Sequence, residues 1–157
     1  MAPQQIILGL AIFLHDLFTV VWVGGLVVFA LTLLPAARKV FGNGPQLRDL
    51  MNEILRRHRV WVYISMVGLF LTGIIQARRE PAFHGLMRFD TPYSALTALK
   101  HVLTFAMIAI ALFRSLRFAG KAESATPQQN KMSMQLIFVN AILGVLVLLL
   151  SGLLAAL

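Results

Sequence analysis

Between Ile6 and Leu34 the only ionisable residues are His15 and Asp16, set side by side in an otherwise apolar run. About 20 apolar residues rising roughly 1.5 Å each are enough to cross a hydrocarbon core, so this stretch predicts a spanning helix. His15 stands about 14 Å of helix beyond Ile6, well below a membrane surface. An imidazole and a carboxylate are costly at that depth, and as a rule they face the bundle interior, a partner, a cofactor or water.

The rest of the chain has the same character: 59% of its residues are hydrophobic and 13% are charged, against about a quarter charged in soluble domains. At 157 residues it has room for about four spans with short connections in one domain, and none for a separate soluble catalytic module. Cysteine is absent, which excludes disulfides, thiolate ligands and iron–sulfur clusters. The net charge of +8 would suggest nucleic acid in a soluble protein. Here the basic residues lie between the apolar runs, and they read as topology and lipid-headgroup contact, not as a nucleic-acid surface. Met1-Ala2-Pro3-Gln4-Gln5 lacks the basic start of a secretory signal, so the first helix is expected to be retained.

Taken in order, the first span covers about 6–34 and is expected to end near Pro35, followed by a turn-rich exit through Phe41-Gly42-Asn43-Gly44-Pro45. Leu47, Leu50, Met51, Ile54, Leu55 and His58 then repeat at helical spacing, which predicts an interfacial amphipathic segment leading into a second span over 60–77. Ser65, Gly68, Thr72 and Gly73 allow close helix approach there. A loop through His84 and Arg88 leads to a third span over 95–113, and a polar linker around Glu123 to a fourth over 132–157, interrupted by Asn140. The fold class is therefore all-α: an integral-membrane, up-and-down four-helix bundle. Lys and Arg concentrate in the first and third connections, which predicts that both termini face outside.

Spans one and three run in the same direction and are diagonal in such a bundle, roughly 12–14 Å apart when adjacent axes are 8–10 Å apart. That is room for a planar macrocycle between two side-chain ligands. His15 and His101 fall at similar depths and form the most attractive pair for axial ligation of haem b. The alternative for each is a structural hydrogen bond to a carbonyl, Ser or Thr. Lys100 either snorkels to the interface, partners a haem propionate or handles protons; Asp16 serves proton transfer or an ion pair. Trp22, with packing as its default role, shares the face of His15, and Thr19 between them is placed to orient the ring. Gly24 and Gly25 permit close packing or let a macrocycle lie on the backbone. Arg78 and Arg79 are placed to neutralise propionates. The run Arg56-Arg57-His58-Arg59 reads as a topogenic, lipid-contacting cluster. Met132-Ser133-Met134 is a weak signal for copper, since methionine is widely used as packing.

The run His15, Trp22, Gly24 and Gly25 ending at Pro35, with Thr72-Gly73 and Leu99-Lys100-His101, resembles the CopD (copper resistance D) superfamily and the related HemJ-type protoporphyrinogen oxidases. The resemblance covers about the first three helices. It implies a small helical bundle in the bacterial inner membrane. The HemJ-type relatives imply a haem b held by His15 with a functional lysine at Lys100; the CopD branch implies copper uptake or resistance. The leading expectation is a haem b protein passing electrons to a redox protein or quinone, as the cytochrome or anchor subunit of a larger complex in the lipid bilayer. A protoporphyrinogen oxidase, in which Lys100 and Asp16 would be catalytic, and a copper import or resistance protein are the alternatives.

Overall fold

A computed structural model describes residues 2–78, 85, 89–118 and 126–156. Among the described residues the regular structure is entirely helical, in four long helices: α1 over Pro3–Phe41, α2 over Pro45–Ala77, α3 over Pro92–Phe118 and α4 over Pro127–Leu154. Each contains a window long and apolar enough to cross a membrane, and the chain is a multi-pass membrane protein.

Every one of these helices opens on a proline, at a position where the missing N–H is no loss and the fixed φ already suits the helix. The start of α4 is further closed by reciprocal bonds: Gln129 donates its backbone N–H to Thr126 Oγ1 at 3.2 Å, and Thr126 donates to Gln129 Oε1 at 3.0 Å. At the start of α3, Ser94 donates its hydroxyl to Asp90 Oδ1 at 3.0 Å and its backbone N–H to Thr91 Oγ1 at 3.1 Å. At the other end of α1, Gly42 takes a φ of 64°, open mainly to glycine, and stops the helix.

Contrary to expectation, α1 does not end near Pro35. It runs through it, with two π-helical turns at Val20–Gly24 and Phe29–Leu33. A proline inside an α-helix removes a donor and drives its ring against the carbonyl four residues back, here that of Leu31. That carbonyl lies within the second, wider turn, which moves it aside and lets the helix continue to Phe41. The interfacial segment and the second span form the single unbroken helix α2, as the periodicity implies.

The helices pack as two antiparallel pairs, α1 with α2 and α3 with α4, joined by α1 against α4. The remaining neighbours of an up-and-down ring, α2 and α3, approach less closely, with no extended backbone contact among the described residues. Glycines set the closest approaches. The Phe18 ring fills the space over Gly68, and Val23 and Met107 crowd Gly144, where an added Cβ would lie 2.7 Å and 3.2 Å from them. Trp22, Leu26, Phe29, Met51, Met107 and Ile137 form the buried core. Large apolar side chains such as Leu31, Phe70 and Leu116 point outward, the surface that lipid requires.

Candidate metal site between the first three helices

The organising residue is His15, and its ring is held from α2. His15 Nδ1 lies 2.9 Å from Thr72 Oγ1, while the Thr72 hydroxyl donates its only proton to the Gly68 carbonyl at 2.7 Å. With that proton on the Gly68 carbonyl, the hydroxyl accepts from His15 Nδ1–H and the lone pair of the neutral ring stands on Nε2. On α3, His101 reaches the same state by a different route. Its Nδ1 lies 2.7 Å from the Thr97 carbonyl, which can only accept, so Nε2 is again the free nitrogen. Such bonds fix both tautomer and ring orientation in metal-binding histidines.

Thr19, expected to orient the ring, instead donates to the His15 backbone carbonyl at 2.8 Å, as hydroxyls inside helices commonly do. Thr72 does that work across the helix interface. Sequence periodicity marked Thr72 only as a small residue, but a hydroxyl on a buried face opposite an intramembrane histidine is the signal that finds it.

Lys100 of α3 acts electrostatically on both His15 and Asp16 of α1, which places these three charges within range of one another across two helices. His15, Lys100 and His101 are half-buried and Asp16 is exposed on the helix surface. Trp22 is 2% exposed, deep in the core, with its indole N–H lacking an acceptor among the described residues. Gly24 faces only Val20 of its own helix, whereas the space over Gly25 is occupied by the His58 ring. Arg78 is exposed at the end of α2, and Arg79 and His84 lie outside the described residues.

His58 departs most from its sequence reading. Its neighbours Arg56 and Arg57 do point outward and both bind Glu53, at 2.8 Å and 2.7 Å. His58 turns inward onto Gly25, with Nε2 shielded from solvent and without a partner among the described residues. The spacing of His58, Ser65 and Thr72, seven residues apart on one face of α2, marks this polar stripe in retrospect.

No group of three or more His, Asp or Glu capable of holding a metal occurs among the described residues. The nitrogen donors are the His15 ring, with Lys100 and Asp16 acting on one another around it, and the His101 ring, which adjoins Lys100 in sequence on α3. Neutral imidazole nitrogen suits copper and haem iron alike. The chemistry of the two imidazoles is compatible with either.

No curated protein and no solved structure matches the chain. A family model, copper resistance protein D, matches residues 52–154. The matched segment contains Thr72-Gly73 and Leu99-Lys100-His101, begins within α2 after the His15 helix, and extends through α4, which the sequence resemblance had left out. Because that match takes in well over half of the chain, the chain belongs to the copper resistance protein D family.

Proposed function

We propose that the chain is a copper-handling protein of the bacterial inner membrane, holding the ion between His15 Nε2 and His101 Nε2 in the half of the bundle nearer its termini. The observation that carries this reading is that both histidines turn Nδ1 onto an internal oxygen, Thr72 Oγ1 and the Thr97 carbonyl, an arrangement that suits Nε2 to a ligand. Family membership supports copper as the cargo. Lys100 and Asp16 set the charge beside the ion, and the excess of Lys and Arg in the first and third connections supports an orientation with both termini outside.

A second reading, haem b between the same imidazoles with electron transfer to a redox protein or quinone, is favoured by one feature. Helices α1 and α3 make no extended backbone contact, which suits ligands meeting across a flat group. In that reading Arg78 and Arg79 serve the propionates and other subunits complete the complex. A HemJ-like oxidase is the enzymatic form of the same arrangement, with Lys100 central.

One preparation separates the two. The purified protein, loaded with Cu(I) and desalted, is expected to retain about one copper per chain by elemental analysis, and His15→Ala or His101→Ala to retain less than a tenth of that. Copper retention unaffected by either substitution would overturn the copper reading. A Soret band in the untreated protein that disappears in His15→Ala would replace it with haem.

A further inference from the structure

The end of the bundle away from His15 holds a cavity of about 400 Å³ between the end of α1, the start of α2 and the start of α4. Leu34 in its wall stands 19 residues beyond His15 on α1, roughly 28 Å along the helix axis, so the two places are separate. Each of three helices gives this wall one cation: Arg38 from α1, Arg48 from α2 and Lys131 from α4. Among the described residues no carboxylate lines it. Asp49 lies 4.0 Å from Arg48 and outside the wall, and Arg38 and Lys131 have no ion pair among the described residues. The rest of the lining mixes carboxamides, such as Asn52 and Asn130, with apolar side chains, among them Met51 from α2 and Met134 from α4. The volume suits a small molecule, for which sites run from about 300 to about 1,000 Å³, and is too small for a folded partner.

This lining makes two demands on a ligand. Thioether sulfur is a soft donor that suits Cu(I), and the fold brings one methionine from each of two helices to a single cavity. Three cations with no carboxylate among them repel a bare metal ion of any kind. One chemical class meets both demands, copper(I) already held by thiolates. A Cu(I) ion bound by two thiolates is an anion, and a small thiol with carboxylates of its own adds further negative charge. Those carboxylates suit the planar forks of Arg38 and Arg48, and the carboxamides suit amide groups in the ligand.

We propose that this cavity receives copper(I) as the anionic complex of a small carboxylate-bearing thiol, with Arg38, Arg48 and Lys131 holding the carboxylates and Met51 and Met134 beside the metal. The cargo rests on the copper reading above, whereas the demand for an anion rests on the wall alone. The protein then meets the ion in two forms, bare at His15 and His101 and complexed at the opposite end.

The test is anaerobic equilibrium dialysis of the full chain, in phosphatidylcholine nanodiscs, against Cu(I) with excess radiolabelled glutathione, counting both copper and thiol. The His15→Ala/His101→Ala protein is expected to bind copper and glutathione together, and to bind no copper when the thiol is left out. Adding Arg38→Gln and Lys131→Gln should weaken this binding by about tenfold or more. Adding Met51→Leu and Met134→Leu should weaken binding of the copper complex and leave that of copper-free glutathione unchanged. Equal binding with and without the Arg38→Gln and Lys131→Gln substitutions would overturn the proposal. So would displacement of the complex by an equal concentration of inorganic phosphate, which would make the cavity a general anion site. Loss of binding in nanodiscs containing phosphatidylglycerol would also overturn it, assigning the cavity to a lipid headgroup. If the charge variant fails to fold, ionic strength carries the test: binding that is the same at about 50 mM and about 500 mM salt would count against the proposal. Copper retained without thiol reads His15 and His101 alone and should be the same in Arg38→Gln/Lys131→Gln as in the unaltered chain, so this proposal and the copper reading fail separately.

Discussion

A hydroxyl with a single proton determines the chemistry available at His15. Thr72 gives that proton to Gly68 and can then only accept from the ring, so Thr72→Val should free the imidazole while preserving the shape of the helix contact. Loss of a group that orients a ligand costs roughly 10- to 100-fold in metal affinity. Copper binding to Thr72→Val should therefore weaken by at least tenfold in a competition titration, and Thr72→Ser should stay within about threefold of the parent. Gly25 makes a second residue-level prediction. A methyl group there would collide with the His58 ring, so Gly25→Ala should destabilise by about 1–3 kcal/mol. Gly24→Ala meets only Val20 Cγ1 at 3.7 Å and should have little effect in the same detergent melting experiment. The sequence pointed to His15, Lys100 and His101 because ionisable groups stand out in an apolar run. The inward turn of His58 was not legible, since its flanking arginines mask it and the seat it occupies lies on another helix.

Among the elements, α1 differs in kind from the other three. A π-turn accommodates what amounts to one extra residue, and here two such turns bring the His15 half and the Ala37 half of one helix onto faces that both meet α2. Deleting the lipid-facing Val20, within the first π-turn, should let that turn relax to an ordinary α-turn and leave a folded protein. Deleting Val67, equally exposed but in the regular α2, should rotate Thr72 by about 100° relative to Ser65 and His58 and abolish a cooperative melting transition. Hydropathy made the existence and order of the helices legible. Their ends were partly legible as well, because Pro45, Pro92 and Pro127 are start signals that apolar run length alone overlooks. The passage through Pro35 was not, since it depends on a turn geometry that no residue type announces.

For the whole molecule, four crossings return the chain to the side on which it began, and the native lack of cysteine makes this simple to test. Single cysteines at Ala2 and Ala156 should react with a membrane-impermeant thiol reagent applied from one side, and a cysteine at Asn43 only from the other. Labelling of all three from the same side would contradict a four-span bundle. The wider approach of α2 and α3 was invisible in the sequence for a physical reason. Pairings in a membrane bundle are decided by small-residue contacts such as Phe18 over Gly68 and Val23 over Gly144, both of which involve α1.

The locked imidazoles also govern what arrival of an ion does to local charge. With Nδ1–H committed to Thr72 and to the Thr97 carbonyl, neither ring has a spare proton to release when Nε2 takes a ligand. A monovalent guest would bring its whole positive charge beside the Lys100 amine, with the Asp16 carboxylate, the residue next to His15, as the counter-charge within range. Occupancy and vacancy of such a place would differ by a full unit, and on the proposed copper reading Lys100 would oppose the bound ion while Asp16 would favour it.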